Sequence, residues 1–251
     1  MEIIGSGFIA RHLRPLHGAH PDTVVLAAGV PRQKLPDSEH RREAALVTET
    51  IQRCLRERRV LVFFSTASMY GGPGCQGRED DPVVPSTRYG QHKYDLETVI
   101  RESGVDHLIL RLSYVLGPGG PEFRLIPALV RQIVSGRVRV QPGSRRDMLY
   151  VSDFVTIMDR LLDAKVRNQI VNVASGDCVD IVQIIKYIEY RLGVTAERQT
   201  VADDSVSHCP SVAKLRELIP EVTEMGFGPG YHRHAIERYL NETGPVKETH
   251  P

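Results

Sequence analysis

The chain has 251 residues, enough for one large or two small domains with a buried core. Its 32 basic and 31 acidic residues give a net charge of +1, which favours no nucleic-acid partner. No apolar run approaches the roughly 18 residues that span a membrane, and we expect no signal peptide and a cytoplasmic location. Four cysteines without CxxC spacing indicate reduced thiols and no metal site: Cys54, Cys75, Cys178 and Cys209.

The first predicted elements are a short strand, a glycine turn and a helix. Met1–Ile4 is apolar, and the turn from Gly5 to Ala10 reads Gly-x-Gly-x-x-Ala. Small residues in such a turn let the backbone approach a pyrophosphate, whose charge is favoured at a helix N-terminus. A tight strand–helix turn without any ligand explains the motif equally well at this point.

The next segment predicts a strand, a loop and a helix. Thr23–Gly29 is a strand that follows the chain-breaking Pro21. Residues 30–42 are polar, contain two prolines and predict a mobile loop. A helix over about 43–57 follows, and a strand over 59–64 comes after it. The helix is predicted from apolar residues at helical spacing, namely Ala44, Val47, Ile51, Cys54 and Leu55.

Hydroxyl, phenol and amine side chains follow that strand. Thr66 lies at the strand end, and Tyr89 and Lys93 head a helix over about 89–103. Because they are four residues apart, the side chains of Tyr89 and Lys93 share one helix face. A lysine ammonium beside a phenol favours the phenolate, so Tyr89 is expected to exchange a proton near neutral pH. A bare Tyr-x-x-x-Lys also occurs on solvated helix faces.

The stretch around these residues resembles the extended short-chain dehydrogenase/reductase superfamily, in the NAD-dependent epimerase/dehydratase branch that modifies nucleotide-activated sugars. That family reads Ser-Ser/Thr-x-x-x-Tyr-Gly and then Pro-x-x-x-Tyr-x-x-x-Lys, matched here by 65–71 and 85–93. The resemblance implies an α/β fold with a Rossmann-like, doubly wound, mostly parallel sheet. It also implies an NAD(P)(H) cofactor, a nucleotide-sugar substrate and a homodimer formed through helices 43–57 and 89–103. The implied catalytic residues are Thr66, Tyr89 and Lys93.

Part of the family's sheet is missing. A dinucleotide-binding half normally adds two strand–helix units after its first helix, with an acidic residue about 20 positions on that holds the adenosine ribose. Here Thr23–Gly29 already resembles the fourth strand, and residues 14–22 have room only for a turn. We therefore predict that the usual strands two and three are absent, which leaves NADH against NADPH undecided. A right-handed crossover between these two strands would require the first helix to lie on the other face of the sheet, and the sequence leaves the face of this helix open.

The resemblance assigns cofactor-binding residues on both sides of this gap. They are Gly5, Ser6, Gly7, Phe8, Ile9, Ala27, Ala28 and Gly29, together with Tyr89 and Lys93. The turn departs from the family at Ile4, where the first glycine normally stands, and at Ala10, where the third does.

Two later segments resemble the substrate side of the family. Residues 107–118 resemble Leu-Arg-x-x-Asn-Val-x-Gly-Pro, with Tyr114 where the family has an Asn that touches the sugar diphosphate. Residues 145–153 resemble Arg-Asp-Phe-x-Tyr/His-Val-x-Asp, and Arg146 matches the arginine that grips the diphosphate. A structural pair between Arg146 and Asp153 is the alternative. The implied substrate-binding residues are Ser68, Tyr114 and Arg146.

The C-terminal half is predicted as a small substrate lobe (119–251) interleaved with the last strands of the nucleotide-binding core (1–118). Asp153 and Asp180 are predicted helix N-caps, and His232 and His234 are predicted surface residues. The periodicity predicts helices over 122–135, 153–164, 180–192, 211–217 and 231–241.

The residues after Thr66 limit which of the family's reaction types this chain is expected to catalyse. Family dehydratases place Asp and Glu there, and decarboxylases tend to carry a Glu, whereas this chain has Ala67 and Ser68. Reduction of a sugar ketone and 4-epimerisation need neither carboxylate. We favour reduction, because a chain without the adenosine edge is expected to hold its cofactor loosely. A catalytically degenerate, sugar-nucleotide-binding or scaffold relative is the remaining alternative.

Overall fold

The computed structural model describes residues 1–29, 36–70, 75–201 and 207–244. The first half alternates strands and helices, the pattern that builds a parallel sheet. Its elements are β1 (Glu2–Ile4), α1 (Phe8–His12), β2 (Thr23–Leu26), α2 (Asp37–Glu57), β3 (Val60–Thr66), α3 (Arg88–Glu102) and β4 (His107–Leu112).

The second half is made of shorter strands and more helices. Its elements are β5 (Tyr114–Leu116), α4 (Leu125–Val134), β6 (Arg137–Val140), β7 (Arg145–Arg146), β8 (Met148–Tyr150), α5 (Val151–Asp163), β9 (Gln169–Val173), β10 (Val179–Asp180), α6 (Ile181–Leu192), β11 (Glu197–Thr200), α7 (Ala213–Leu218) and α8 (Tyr231–Thr243). Among the described helices, none is long and apolar enough to cross a membrane.

The centre of the molecule is a five-stranded parallel sheet in the order β1-β2-β3-β4-β9. Three two-stranded pairs, β5 with β8, β6 with β11 and β7 with β10, extend the second half beside it. Parallel strands all end at the same edge of the sheet, so the residues after β2, β3 and β4 converge there. The predicted α/β fold with a Rossmann-like parallel sheet is confirmed.

Two apolar cores cover the two faces of this sheet. On one face, α2 and α3 bury Val47, Ile51 and Leu96 against Val24 and Leu26 of β2. The other face holds a larger core that includes α1, α4, α5, α6 and α8. Alternate residues of each strand therefore enter different cores, as the period-two geometry of a strand requires. Both faces are covered, which explains why the strands are apolar throughout.

The sheet lacks its usual outer edge. Residues 14–22, all of them described, contain only a 3-10 turn at Arg14–Leu16, and β1 pairs directly with β2. In the described ranges, no strand pairs with the other side of β1. The predicted absence of two strands is confirmed for this part of the chain.

The first helix lies on the face of the sheet opposite α2, which answers the question that the sequence left open. Phe8 and Leu13 pack in the same core as Val25 and Phe154, whereas α2 lies on the other face. The sheet order β1-β2-β3 means that the chain moves in the same direction from β1 to β2 and from β2 to β3. The connecting helices α1 and α2 lie on opposite faces of the sheet, so the two crossovers have opposite handedness. Right-handed crossovers are strongly preferred, which makes the short β1–α1–β2 connection the exception.

Helix α2 begins earlier than predicted. It starts at Asp37, so the predicted loop 30–42 is wrong over 37–42, and residues 30–35 lie outside the described ranges. Pro36 fixes the extended N-cap conformation, and Asp37 and Glu39 stabilise the first turn through the helix dipole. The buried face is also rotated, because His40 and Glu43 are buried while Leu55 is exposed.

Two predictions about cysteine and histidine are wrong. Cys178 and Cys209 form a disulfide across 31 residues, with Cα atoms 5.4 Å apart, because the turn after β9 folds beside the segment before α7. Cys54 and Cys75 are free, as predicted. His232 is buried rather than exposed, since the buried Asp177 carboxylate takes it as a partner at 2.7 Å. His234 is exposed as predicted.

The two predicted aspartate caps have different outcomes. Asp180 caps α6, since its carboxylate accepts the backbone N–H of Val182 at 2.7 Å. Asp153 is not a cap, because α5 begins at Val151 and Tyr150 holds the N-cap position. Asp153 instead lies in the first turn and pairs with Arg238 at 3.2 Å.

Candidate active site

A cavity of about 400 Å³ opens at the carboxyl edge of the central sheet. This volume lies in the range of small-molecule sites. Its walls come from the β1–α1 turn, the ends of β2, β3 and β4, the start of α3, and the second half of the chain. The lining residues are Gly7, Phe8, Ile9, Leu26, Ala27, Gly29, Phe64, Ser65, Thr66, Ala67, Ser68, Tyr89, Lys93, Leu112, Ser113, Tyr114, Val115, Pro121, Arg124, Arg146, Asp147 and His208.

Most residues predicted for the site lie together in this lining. The catalytic candidates Thr66, Tyr89 and Lys93 all do. The cofactor candidates there are Gly7, Phe8, Ile9, Ala27 and Gly29, and the substrate candidates there are Ser68, Tyr114 and Arg146. Three predicted cofactor residues are not among the lining residues, namely Gly5, Ser6 and Ala28.

Lys93 is held by a buried carboxylate that sequence reasoning missed. Its Nζ donates to Glu43 Oε1 at 2.6 Å and to the Phe64 carbonyl at 3.1 Å, and both charged side chains are buried. The other Glu43 oxygen lies 3.0 Å from Nε2 of His92. A buried charge needs such pairing to offset its desolvation. The Glu43 charge therefore balances that of Lys93 close to the cavity.

Tyr89 and Thr66 present hydroxyl groups from two different elements. Lys93 Nζ lies 6.0 Å from the centre of the Tyr89 ring, one helical turn away on α3. Thr66 ends β3, where its Oγ1 accepts the backbone N–H of Ser68 at 3.1 Å and donates to Ser68 Oγ at 2.8 Å. The Thr66 hydroxyl is thereby fixed at the strand end, with Ser68 beside it in the same wall.

The turn between β1 and α1 fits the pyrophosphate of a dinucleotide. Gly5 has a φ of +131°, and a Cβ there would lie 2.5 Å from the Ala27 carbonyl oxygen, so only glycine lets the turn pack on β2. A Cβ at Gly7 would meet nothing within 4 Å, which leaves the backbone open to a ligand. For the adenosine end, the described residues offer no strand outside β1. The fit is therefore to one half of the cofactor.

Aromatic and cationic groups form the opposite wall. The Tyr114 hydroxyl accepts the backbone N–H of Ile126 at 3.3 Å, and the Arg124 guanidinium lies 5.9 Å from the Tyr114 ring and 5.4 Å from the Phe8 ring. Arg146 is half-buried in this wall, and its Nη1 donates to the Arg145 carbonyl at 2.8 Å. The alternative pairing of Arg146 with Asp153 is not supported, since Asp153 pairs with Arg238.

Asp147 is a second buried carboxyl in the cavity wall. Its Oδ1 accepts the backbone N–H of Ser175 at 3.0 Å, and the Ser175 hydroxyl lies 3.2 Å from both carboxyl oxygens. Burial outweighs these hydrogen bonds and raises the pKa of Asp147 to about 7. The sequence identified this residue only as part of a motif.

The raised pKa of Asp147 predicts a pH-dependent stability. Between the usual aspartate pKa of about 3.9 and a folded pKa of about 7, the unfolded chain has lost a proton that the folded chain keeps. Stability is therefore expected to fall as pH rises through that window, by up to about 4 kcal/mol. Asp147→Asn removes this term, so urea unfolding at pH 5 and pH 8 should show wild type losing stability relative to the variant. A stability difference that is the same at both pH values would contradict the assignment.

Of three cavity or near-cavity residues that the sequence analysis missed, one could have been recognised from the sequence and two could not. Glu43 stands four residues before Val47 on the buried stripe of α2, and an acidic residue in such a stripe is a detectable anomaly. Arg124 and His208 gave no local signal, because tertiary contacts alone bring them to the cavity.

Two curated relatives match about two thirds of this chain and a smaller share of their own length. The dTDP-4-dehydro-6-deoxyglucose reductase of Escherichia coli is 23% identical over 185 residues, which cover 68% of this chain and 56% of that protein. The UDP-N-acetyl-alpha-D-glucosaminuronate decarboxylase of Bacillus cytotoxicus is 24% identical over 192 residues, covering 67% of this chain and 60% of that protein. The matched part of the chain therefore spans less than two thirds of the length of either relative.

A solved structure agrees over a longer range. MoeE5 in complex with UDP-glucuronic acid and NAD has a TM-score of 0.81 at 20% identity, over 97% of this chain and 99% of that chain. At this identity the likeness shows the fold. The model of a family described as the NAD dependent epimerase/dehydratase family matches residues 9–174, more than half of the chain. The family predicted from the motifs is thus confirmed, and the chain belongs to the NAD dependent epimerase/dehydratase family.

Proposed function

We propose that the protein reduces a keto group on a nucleotide-activated sugar, with NADH or NADPH as the reductant. The observation that carries this proposal is the convergence of Thr66, Tyr89 and Lys93 on one cavity. Membership of a family described as NAD dependent supports a nicotinamide cofactor. The E. coli relative, a dTDP-4-dehydro-6-deoxyglucose reductase, supports a keto-sugar nucleotide as substrate.

The residues divide the chemistry between them. A bound nicotinamide dinucleotide supplies the hydride. The turn residues Gly7, Phe8 and Ile9 would hold its pyrophosphate, and Ala27 and Gly29 would lie beside its nicotinamide. The phenol of Tyr89 donates a proton to the substrate's carbonyl oxygen. The Thr66–Ser68 hydroxyl pair orients that oxygen.

Lys93 acts on Tyr89 through its charge. Glu43 and the Phe64 carbonyl fix the ammonium in place, and the remaining N–H of Lys93 is available to the ligand or to Tyr89. The carboxylate also reduces the net charge at this point, so the electric field of Lys93 at Tyr89 is weaker than that of an unpaired lysine.

Reduction and epimerisation place different demands on cofactor retention. An epimerase holds its cofactor through two hydride transfers, whereas a reductase exchanges it at every turnover. The described residues provide no strand outside β1 to enclose the adenosine end, which favours exchange and hence reduction. Dehydration is disfavoured by Ala67 and Ser68, since neither side chain supplies the acid–base pair that removes water.

The test is a screen of keto-sugar nucleotides with NADH and NADPH, followed by the loss of nicotinamide absorbance. Stoichiometric oxidation of one cofactor is the expected result. Interconversion of two sugar nucleotides without net cofactor consumption would establish the 4-epimerase instead. Binding of the sugar nucleotide without binding of either cofactor would favour the non-catalytic relative.

Weak cofactor binding is a separate expectation. Without the outer strands, the adenosine end gains few contacts, and we expect dissociation constants on the order of tens to hundreds of micromolar. Of the basic residues near this region, Arg42 pairs with Glu39 at 3.1 Å and Arg41 is exposed. Arg32 and Lys34 lie outside the described ranges. Calorimetry with NADH and NADPH measures this directly, and cofactor that copurifies with the protein would contradict it.

A homodimer is also expected, with α2 and α3 of two copies forming a four-helix interface. These helices lie side by side on one face of the sheet, and Leu55 and Val99 expose 41% and 46% of their surface. Light scattering at micromolar concentration should give twice the chain mass. The Leu55→Glu/Val99→Glu variant should give the mass of one chain, because it places charges in an apolar contact. A single-chain mass for the wild type would refute the expectation.

A further inference from the structure

His208 lies in the cavity beside Arg146, although sequence reasoning assigned it no role. The two residues form an isolated parallel β-bridge, and both line the cavity that contains Tyr89 and Lys93. His208 comes from the segment between β11 and α7, far along the chain from the other lining residues. Its contribution therefore depends on how that segment is held.

Several contacts fix the segment that carries His208. The backbone N–H of His208 donates to the Arg145 carbonyl at 3.3 Å, and that of Ser211 donates to the Gly77 carbonyl at 2.7 Å. Between these two, Cys209 forms the disulfide with Cys178. A side chain anchored on both sides in this way keeps its position when a ligand binds.

The hydrogen bond of the ring fixes its tautomer. Nδ1 of His208 lies 3.2 Å from the carbonyl oxygen of Tyr70, which only accepts, so Nδ1 carries the proton. Burial, and to a smaller extent the positive charge of Arg146, lower the pKa of His208 to about 4. The ring is therefore neutral at physiological pH, and Nε2 is left as an acceptor on the side of the ring away from Tyr70.

We propose that His208 is a specificity-determining residue whose Nε2 accepts a hydrogen bond from a hydroxyl group of the bound sugar. This inference rests on the proposed function. An unprotonated nitrogen repels a phosphate oxygen, whereas a sugar hydroxyl offers the donor that it requires. The neighbouring Arg146 guanidinium provides the complementary donors for an anionic group. Together the two side chains distinguish the hydroxyl-bearing and anionic parts of one ligand.

The experiment compares sugar nucleotides with the matching diphosphates by calorimetry. The probes are UDP-glucose with UDP and dTDP-glucose with dTDP, and the pair that wild type binds more tightly is used. His208→Ala should weaken sugar-nucleotide binding by about 5- to 10-fold, as the loss of one hydrogen bond predicts, and change diphosphate binding by less than about 2-fold. His208→Gln, whose amide oxygen can replace the lost acceptor, should recover most of the affinity.

The matched control is His234→Ala, which removes an exposed histidine and should leave both affinities unchanged. Equal weakening of both ligands by His208→Ala, or no weakening of either, would overturn the inference while leaving the proposed function intact. Failure of wild type to bind any of the four probes would instead refute the proposed function and this inference with it. Retained wild-type affinity in His208→Ala with a lost affinity in His208→Gln would also overturn the inference.

Discussion

The Tyr89→Phe variant is expected to lose at least about 100-fold in turnover of a keto-sugar nucleotide, while its fold and cofactor affinity remain nearly unchanged. The substitution removes only the phenol oxygen, and general acid catalysis typically contributes about 10²–10⁴-fold. Tyr89 is half-buried at the head of α3, so the phenyl ring keeps its packing. The measurement is single-turnover reduction followed at the nicotinamide absorbance, with cofactor affinity from calorimetry.

Tyr94→Phe is the matched control for Tyr89→Phe. Tyr94 lies on the same helix with similar exposure, and it does not line the cavity. It should retain the wild-type rate. If Tyr89→Phe keeps more than about a tenth of that rate, Tyr89 is not the acid.

The central sheet and most of the cavity were predictable because their signals are local. An apolar strand followed by Thr66, and a four-residue step from Tyr89 to Lys93, each specify an element and its functional end. The shortened edge was predictable from chain length alone, since residues 14–22 cannot hold two strands. A local pattern also predicted correctly that Asp180 is the N-cap of α6.

Features that depend on contacts between distant segments were not predictable in this way. The disulfide between Cys178 and Cys209 requires the turn after β9 to meet the segment before α7, and no spacing rule encodes that approach. The face occupied by α1 could not be decided from the sequence, because the crossover rule favours one hand, whereas burial of Phe8 and Leu13 beside Phe154 favours the other. In that conflict, apolar packing prevails over the crossover preference.

The ion pair between Glu43 and Lys93 combines a residue that a local motif predicted, Lys93, with one that only a contact between two helices brings to the cavity, Glu43. Both side chains are almost fully buried, so each charge needs compensation, and the contact at 2.6 Å between them supplies part of it. Breaking a buried pair by removal of one partner typically costs about 3–5 kcal/mol. This makes Glu43 a site where stability and reactivity are linked.

We expect Glu43→Gln to lower the free energy of unfolding by about 3 kcal/mol, the lower end of that range, because the amide keeps an acceptor for Lys93 but loses the charge. Urea unfolding measures the loss. Glu43→Leu combined with Lys93→Met should recover much of the stability, since both charges are then removed at similar volume. A double variant no more stable than Glu43→Gln would contradict the pairing.

The same Glu43→Gln substitution should also slow the proposed reduction, because the carboxylate that fixes the Lys93 ammonium one helical turn from Tyr89 is replaced by an uncharged, weaker acceptor. Glu97→Gln is the matched control: Glu97 is an equally buried acid, paired with Arg111 at 2.7 Å, and does not line the cavity. It should lose similar stability and keep the wild-type rate. If both variants slow the reaction equally, the loss reports general destabilisation, and Glu43 has no particular influence on Lys93. If only Glu43→Gln slows it, the carboxylate beneath Lys93 positions the amine for the proposed reduction.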